Sequence, residues 1–388
     1  MKVVAKHPQK IKHTLSILIP LVLIIGIFLF QWLVPAYFAD FYGRFIFPVI
    51  ALPLNSASGL VHISLTENLV VVGGITLFIL LIVFLIKAGV RTFGFRYGSF
   101  RVDVMSKVLI IGVVLSFVFM LMLGMNYRRT PVRKLMRFDN DDYSIEAYEE
   151  ALYWAYVNMI NARNRLGEDY RGTAHPSMSV DMATIHANAI LDEMSKDFDL
   201  GMSSNFVRAK PVSLSNYWSL TRIVGMYDPF LGEANINTGY IDVTSFDLTL
   251  CHELAHAKGF GSETDCNIIA AIACTRSSIP EFRYAGFYYI YNDLLKIVYN
   301  NSVYNDREMP SFLDSSYLAP VYRDARATNE YWDKINSMFM SQQIENVSES
   351  ANDAFLKVNG NGGTSAYNVP EDVYVDYYMT YIKPMEAV

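Results

Sequence analysis

The sequence predicts a membrane anchor of three helices followed by a soluble domain of the mainly α, α+β class. Three apolar runs, each near the length of about 20 residues that crosses a bilayer, all precede residue 130. The chain after residue 130 is polar and tyrosine-rich, and most of it has helical periodicity. These observations predict an anchor at residues 1–130 and a soluble domain at residues 131–388.

The apolar runs cover about residues 15–38, 69–86 and 108–125. The overall composition agrees with membrane insertion, because 52% of the 388 residues are hydrophobic. The first run could instead be the core of a cleaved signal peptide. It is longer than a typical signal core, and no obvious small-residue cleavage site follows it, which favours an uncleaved anchor. The lipid bilayer is therefore an expected partner.

Basic residues around the runs predict their orientation. The first loop holds only Arg44, whereas the other two flanks are rich in Lys and Arg: Lys2, Lys6, Lys10, Lys12, Lys87, Arg91, Arg96, Arg101 and Lys107. By the positive-inside rule, the N-terminus is cytoplasmic, and three spans then leave the soluble domain outside the cell. A second basic cluster, from Arg128 to Arg137, directly follows the third run and opposes this orientation.

The soluble domain is expected to be mostly helical, with a small sheet. Helices are predicted at about 143–165 and 181–198, where apolar residues recur at helical spacing. Residues 204–245 form short segments rich in Gly, Pro and Asn, and the run from Gly232 to Ile241 alternates like a strand. The net charge of −6, without a basic stripe in this domain, argues against nucleic acid as a partner.

Residues 252–256 carry the sequence His252-Glu253-Leu254-Ala255-His256. Two histidines four residues apart lie on one face of a helix, where both can bind one metal ion. A helix over about 245–258 is predicted, because Thr244 or Ser245 can cap its start together with Asp247, and glycines at 259 and 261 end it. The pattern is typical of a zinc hydrolase, in which Glu253 is the general base.

A second helix is expected to begin directly after the first. Ser262, with Asp265 three residues later, predicts its capped start. A carboxylate ligand then arrives in its first turn, and by position Glu263 and Asp265 both remain candidates. The run Glu263-x-x-Cys266-Asn267 resembles the E-x-x-A-D or E-x-x-A-N signature of zinc peptidases. That resemblance implies that Glu263 is the third ligand, that Asn267 orients a ligating imidazole, and that Asp265 is the alternative ligand.

Several further runs resemble a bacterial membrane-protein family catalogued as domain of unknown function 3810, over about residues 10–385. The resemblance rests on Gly124 to Pro131, Tyr227 to Phe230, Glu233 to Asn235, the H-E-L-A-H run, and Phe282 to Tyr284. It implies a multi-pass protein of the bacterial cell membrane whose soluble domain is zincin-like and gluzincin-like, with Zn²⁺ as its cofactor.

Other site residues are expected from their positions near the two helices. Arg283 or Tyr284, after the second helix, could stabilise an oxyanion in the way that downstream residues do in related peptidases. Asn235 and Asn237 could line an exposed strand that holds an extended peptide, or could only shape a turn. The cysteines Cys251, Cys266 and Cys274 are expected to be small buried residues, although a contact of Cys251 or Cys266 near the metal stays open.

The function predicted from the sequence is therefore that of a membrane-anchored zinc endopeptidase acting on exported or envelope proteins. Two alternatives stay open. One is a membrane sensor or transducer that retains a peptidase fold, and the other is a non-catalytic scaffold stabilised by zinc.

Overall fold

The computed structural model describes residues 7–90, 98–138, 140, 142–360 and 362–386, which are mostly helical. Its α-helices are α1 (His7–Leu33), α2 (Ala36–Phe41), α3 (Phe47–Gly59), α4 (Leu65–Val90), α5 (Gly98–Met122), α6 (Val132–Leu135), α7 (Ile145–Arg163), α8 (Val180–Asp197), α9 (Ser215–Leu220), α10 (Phe246–Ala257), α11 (Glu263–Arg276), α12 (Pro280–Asn305), α13 (Ala319–Asn336), α14 (Ser341–Val358), α15 (Val373–Tyr377) and α16 (Lys383–Glu386). Its strands are β1 (Ala209–Pro211), β2 (Gly225–Asp228) and β3 (Glu233–Ile236). The predicted mainly helical class with a small sheet is confirmed.

Three helices of the described chain are long and apolar enough to cross a membrane, at Lys12–Leu33, Leu65–Val83 and Val104–Met122. The predicted number of apolar helices is confirmed; the first and the third end at Leu33 and Met122, a few residues earlier than expected. In the first, Pro35 separates α1 from α2, because proline lacks the amide hydrogen that would continue the helix. Of the basic residues that predicted the orientation, Lys2, Lys6, Arg91 and Arg96 lie outside the described residues.

The connection between the first two apolar helices is itself helical. α2, one π-helical turn at Tyr42–Ile46 and α3 follow each other without a break, and together they form the connecting helix, residues 36–59. Its side chains reach the soluble domain: Asp40 accepts hydrogen bonds from the Thr130 amide at 2.9 Å and the Thr130 hydroxyl at 2.6 Å. The sequence alone predicts a simple loop here.

The start of α4 also contacts the soluble domain, through a buried polar network around Glu233 on β3. The Glu233 carboxylate accepts hydrogen bonds from the backbone amide and hydroxyl of Thr66, at 2.9 and 2.8 Å, and from the Ser58 hydroxyl at 3.1 Å. It also pairs with Lys210 on β1, and both of these side chains are fully buried. Ser58 and Thr66, which the predicted boundary at residue 130 assigns to the anchor, are therefore bound to β3 of the soluble domain.

The core of the soluble domain is built around α12, which packs along α7 and α11, while α10 packs on α11. The helices predicted at 143–165 and 181–198 are confirmed as α7 and α8 with slightly different bounds. Ser179 caps α8 by accepting a hydrogen bond from the Met182 amide. This arrangement buries α10 and α11 almost completely, so any polar group on them needs a partner.

The basic cluster after the third apolar helix has structural partners. The Arg129 guanidinium donates hydrogen bonds to the carbonyls of Gly259 and Leu200, both at 2.7 Å, and lies over the Phe260 ring. Arg133 forms an ion pair with Asp372 at 2.6 Å. Two of the charges that opposed the predicted orientation therefore bind the soluble domain, which accounts for their presence on this side of the third helix.

Candidate metal centre

α10 carries both histidines and begins one residue after Ser245. The predicted capping box is wrong. The hydroxyls of Thr244 and Ser245 both donate to the Asp242 carboxylate, at 2.8 and 3.1 Å, and Ser245 caps no amide of the helix. Asp247, which was expected to complete the box, is buried. The upstream Asp242 competes successfully for these hydroxyls, and it organises the turn before the helix instead.

The predicted glycine end of α10 is confirmed. The Gly259 amide donates to the His256 carbonyl at 3.0 Å and the Phe260 amide to the Ala255 carbonyl at 3.1 Å, which is a Schellman motif. Gly259 has a φ of 105°, a conformation that other residues adopt only with strain. The turn brings the Phe260 carbonyl to 2.9 Å from Nδ1 of His256. The helix end thus orients one of the histidines.

α11 starts as predicted, since the Ser262 hydroxyl accepts a hydrogen bond from the Asp265 amide at 3.3 Å. Glu263 is the first residue of this helix, and its carboxylate reaches the histidines. The Asp265 carboxylate accepts the Val132 amide at 2.9 Å instead. Burial raises the pKa of Asp265 to about 6. The alternative ligand is therefore engaged with the segment that follows the third apolar helix.

His252, His256 and Glu263 form a compact triad of potential metal ligands. Nε2 of His252 lies 3.0 Å from Glu263 Oε2, Nε2 of His256 lies 3.3 Å from the same oxygen, and the two Nε2 atoms are 3.1 Å apart. Ligand atoms placed tetrahedrally about 2.05 Å from a zinc ion are separated by about 3.3 Å. The three atoms therefore have nearly the spacing that a tetrahedral metal site requires.

The hydrogen-bond partners of Nδ1 determine the tautomer of each histidine. Nδ1 of His252 lies 2.8 Å from Asn267 Oδ1, while the Asn267 amide nitrogen donates to the Tyr367 carbonyl at 2.8 Å. Nδ1 of His256 faces the Phe260 carbonyl. Since both nitrogens face acceptor oxygens, each carries the hydrogen in the neutral imidazole, and each Nε2 is bare. Three electron pairs then point at one buried position, which only a cation stabilises.

Electrostatics within the triad agree with this need for positive charge. Burial disfavours ionisation of Glu263, yet the facing His256 and the hydrogen bonds from both histidines hold its pKa well below the usual value. Burial also acts to lower the pKa of His256, but Cys266 and Glu263 together raise it well above the ordinary value. Protons therefore supply the positive charge in a metal-free chain, and a bound metal ion would displace them.

Glu253 is buried beside the triad, next to the outer strand β2. Burial raises its pKa, and the charges of His252 and His256 act in the opposite direction. A backbone hydrogen bond from Tyr227 on β2 orients the carboxylate. Gly225 is necessary for this approach, because a Cβ there would come within 2.5 Å of Glu253 Oε1. A carboxylate with a raised pKa is suited to accept a proton near neutral pH.

The predicted substrate strand is not an edge strand. The sheet order is β1-β3-β2, with β3 parallel to β1 and antiparallel to β2, so β3 is central and its backbone is paired on both sides. Asn235 on β3 accepts a hydrogen bond from Ser64 at 2.7 Å, and Asn237 donates to Ser219 at 2.8 Å. Both asparagine side chains are therefore bonded within the protein, and neither lies on a free strand edge of the sheet that the described residues form.

The two predicted oxyanion donors are bonded elsewhere. The Tyr284 hydroxyl donates to Asp324 at 2.8 Å in the core of the soluble domain, and burial with this carboxylate raises its pKa far above the usual value. Arg283 donates to the Thr275 carbonyl at 2.7 Å and to Asn158 at 2.9 Å. Arg283 is therefore bonded to α7 and Tyr284 to α13, and the structure does not bring either side chain to the triad.

Two tyrosines that the sequence analysis missed lie near the triad. Burial and the charge of Glu263 raise the pKa of Tyr127, and the same two causes raise the pKa of Tyr367 to about 12, with a further contribution from Glu253. Tyr367 is 38% exposed, and its hydroxyl accepts a hydrogen bond from the Asn352 amide nitrogen at 3.2 Å. It lies 100 positions from Asn267 and follows a glycine-rich loop, and no local pattern indicates its role.

Comparison with known proteins gives the family of this chain. A search of curated proteins and a search of solved structures both return no match. A family model described as a protein of unknown function (DUF3810) matches residues 42–370. The match begins in the connecting helix and includes α10, α11 and Tyr367. Since it covers most of the 388 residues, the chain belongs to the DUF3810 family.

Proposed function

We propose that this chain is a membrane-anchored, zinc-dependent metallopeptidase. The observation that carries the proposal is the convergence of two bare imidazole nitrogens and the Glu263 carboxylate on one position, beside the buried Glu253. Two imidazoles and one carboxylate are a ligand set that suits zinc. Three protein ligands also leave a fourth position open, as catalytic zinc sites require and closed structural sites do not.

A zincin-like, gluzincin-like fold is part of the proposal. The support comes from the order of elements around the triad: an antiparallel outer strand, the H-E-x-x-H helix, a glycine turn and a second helix that supplies the glutamate. The metal ligands therefore come from two packed helices, and the strand β2 lies alongside the general base. The motif helix is buried within the soluble domain, separate from the apolar helices.

Each side chain then has a chemical task. A zinc ion held by the triad would supply Lewis acidity, which would make water more acidic and would polarise a peptide carbonyl. Glu253 accepts the proton from the attacking water and returns it to the leaving amine. Asn267 and the Phe260 carbonyl keep the imidazoles in the tautomer that binds metal. Tyr367 replaces Arg283 and Tyr284 as the proposed hydrogen-bond donor to the oxyanion.

The proposed role of Tyr367 has its own test. Tyr367→Phe removes only the hydroxyl, so we expect kcat to fall by about 10²-fold, the usual cost of one oxyanion donor. Zinc content should stay unchanged, because the ring and backbone remain. A matched change at the exposed Tyr304 should have no effect. Unchanged kcat in Tyr367→Phe would remove this residue from the mechanism.

The outer strand β2 is the proposed binding place for an extended peptide substrate. It pairs with β3 on one side only, within the sheet that the described residues form. Its Tyr227 amide orients Glu253, so a peptide added along the free edge would lie beside the general base. Backbone pairing of this kind tolerates many sequences, which agrees with a protein or peptide substrate from the cell envelope or from exported proteins.

The proposed location is the bacterial cell membrane, with the soluble domain outside the cytoplasm. The contacts of residues 36–67 with this domain put the first connection and the domain on one side of the apolar helices. The basic residue Arg44 in that connection pairs with Asp199, so it has a structural partner and does not oppose an outside location. A reporter enzyme fused after residue 386 tests this side: activity of a periplasmic reporter supports it, and activity of only a cytoplasmic reporter contradicts it.

The decisive experiment compares the full-length protein with its Glu253→Gln variant on a peptide library. We expect equal zinc content in both proteins and loss of hydrolysis in the variant, because the triad stays intact while the base is removed. Glu349→Gln, at an exposed position on α14, is the matched control and should keep full activity. Hydrolysis that survives Glu253→Gln contradicts the mechanism, and zinc binding without any hydrolysis favours the sensor or scaffold alternatives.

A further inference from the structure

We propose that the connecting helix, residues 36–59, lies in the headgroup layer of the bilayer and binds lipid with its outer face. Tyr37, Phe41, Phe45, Val49 and Leu52 recur three or four residues apart, and so they share one face of the helix. Their side chains are between 49% and 77% exposed. We call these five residues the outer face. Bulky apolar and aromatic groups in such a continuous row mark a contact surface.

The opposite side of the connecting helix is bound to the soluble domain along its whole length. Its two charged residues, Asp40 and Arg44, pair with Thr130 and Asp199. Further along, the Pro48 carbonyl accepts a hydrogen bond from Asn205 at 2.7 Å, and Ser58 contacts Glu233. All the charge is thus on the domain side, and the outer face holds none. This division is the pattern of a helix that lies in the membrane plane.

The position of the helix between two apolar helices identifies lipid as the occupant of the outer face. Two residues separate its start from the end of the first apolar helix at Leu33, and five residues separate its end from the start of α4 at Leu65. Both of its ends are therefore at the same membrane surface. Its hydroxyl-bearing residue Tyr42 also donates to the Leu121 carbonyl at 2.6 Å, in the last turn of the third apolar helix. Aromatic residues such as those of the outer face are enriched at this depth.

The same helix holds the candidate metal centre close to the membrane. A Cβ on Gly259 would lie 3.0 Å from the Phe47 ring, so the end of α10 is in direct contact with the connecting helix. Arg129 joins the two by binding the Gly259 carbonyl and approaching Asp40 at 3.8 Å. Packed helix axes are about 8–10 Å apart, so the triad lies about one helix layer from the lipid.

This closeness defines a class of substrate, and that consequence rests on the proposed function. A peptide bond that lies only a short way along the chain from a membrane anchor can therefore reach the triad. We infer that the substrates are membrane-anchored proteins cut in the segment that leaves the bilayer. A soluble domain held far from the membrane would instead need a long spacer between anchor and scissile bond.

The location of the outer face can be measured without any activity. Nitroxide labels are attached to the full-length protein at Phe45→Cys or Val49→Cys. The labelled protein is placed in vesicles of phosphatidylcholine and phosphatidylglycerol. The collision rates of each label with oxygen and with a water-soluble nickel chelate are then compared. Tyr170→Cys, at a 90% exposed position beside charged residues, is the aqueous control. The native cysteines are buried, and the unsubstituted chain gives the background.

We expect both outer-face labels to collide with oxygen. Their collision rate with the nickel chelate should be at least about threefold lower than that of the label at position 170, as for a helix at the acyl boundary. Nickel contact equal to that at position 170 overturns the proposal. Spin–spin broadening at both positions also overturns it, because a second copy of the chain would then cover the face.

The substrate class is tested with two lipid-anchored peptides that share one scissile sequence. Their spacers are about 6 and about 20 residues, which reach roughly 20 and 65 Å from the surface. We expect both peptides to be cleaved at similar rates. Cleavage of the long-spacer peptide alone would contradict the proposal that the metal centre lies close to the membrane. If neither is cut while the labels report lipid contact, the proposed function fails and the lipid-binding surface stands.

Discussion

The candidate metal centre has two walls whose residues come from very different distances along the chain. The ligand wall, α10 and α11, supplies His252, Glu253, His256, Glu263 and Asn267 from 16 consecutive residues. The distant wall consists of the connecting helix, β2 and the 3₁₀ turn Gly363–Tyr367. Helical spacing and two caps suffice to assemble the ligand wall. The distant wall is held in place by buried polar contacts between segments that are far apart in the sequence. Loss of these contacts should therefore lower stability, whereas loss of the ligand wall should remove the metal.

The largest expected effect comes from removing a ligand. His256→Ala deletes one of three metal-binding atoms, so we expect zinc to be lost on dialysis and hydrolysis to fall by at least about 10³-fold. Elemental analysis and peptide turnover measure both. His175→Ala, on an exposed loop, is the control and should change neither. Should the alanine variant fail to fold, Glu263→Gln tests the same point with less loss of volume. Full zinc occupancy in either ligand variant would contradict the triad.

The contacts that hold the distant wall in place should fail through stability instead of metal binding, because Glu233 on β3 binds Ser58 of the connecting helix. Lys210→Met leaves the fully buried Glu233 without its ion-pair partner, which costs about 3–5 kcal/mol for a buried charge. We expect the apparent melting temperature in detergent to fall by roughly 5 °C or more, with one zinc still bound to the folded protein. Lys196→Met, at an exposed position, is the matched control. If Lys210→Met keeps its stability but loses zinc, the two walls are not separable in this way.

A smaller effect is expected at the contact between the walls. Asn267 belongs to α11, but it bonds both to His252 and to the Tyr367 carbonyl of the distant wall. Asn267→Ala should lower zinc affinity by about 10–100-fold, the usual cost of losing a partner of a metal-binding histidine. A competition titration with a chelator measures this affinity. Asn164→Ala, on the surface, serves for comparison. Unchanged affinity would show that Asn267 does not orient His252.

The smallest effect is a pH dependence within the ligand wall. Burial, together with the nearby Glu281, raises the pKa of Asp247 to about 8. A carboxyl group whose pKa is higher in the folded chain keeps its proton there while the unfolded chain loses it. Stability therefore falls as the pH rises from about 4 to about 8.

Asp247→Asn removes this titration. We expect its melting temperature, relative to that of the unsubstituted protein, to increase between pH 5 and pH 8. Asp333→Asn, at an exposed position on α13, should show a difference that does not depend on pH. A pH-independent difference in Asp247→Asn as well would mean that this carboxyl group does not titrate as described.

Local patterns predicted the elements whose determinants are close in sequence. The three apolar helices, α7, α8, the glycine end of α10 and the Ser262 cap of α11 follow from composition, periodicity and capping residues. The start of α10 was wrong because Asp242, outside the expected capping window, takes the two hydroxyls. The choice between Glu263 and Asp265 needed a long-range contact as well, since Asp265 is bound by Val132.

The rest depended on tertiary contacts that have no local signature. Strands of three or four residues do not show a readable alternation, so the central place of β3 and the outer place of β2 were missed. Tyr367 reaches the site only because the chain returns to it after α14. The sequence of the connecting helix resembles a short loop, because its polar residues bind the soluble domain and its apolar residues resemble a continuation of the first span.

The triad itself is tested most directly by zinc K-edge X-ray absorption of the purified full-length protein. The geometry predicts two imidazole nitrogens and a carboxylate oxygen at about 2.0–2.1 Å, with no sulfur ligand. The Cys266 thiol lies 3.3 Å from Nδ1 of His256, on the side of the ring away from the ligand position. A sulfur shell at about 2.3 Å, or a protein that retains no zinc, would contradict the assignment of His252, His256 and Glu263 as the metal ligands.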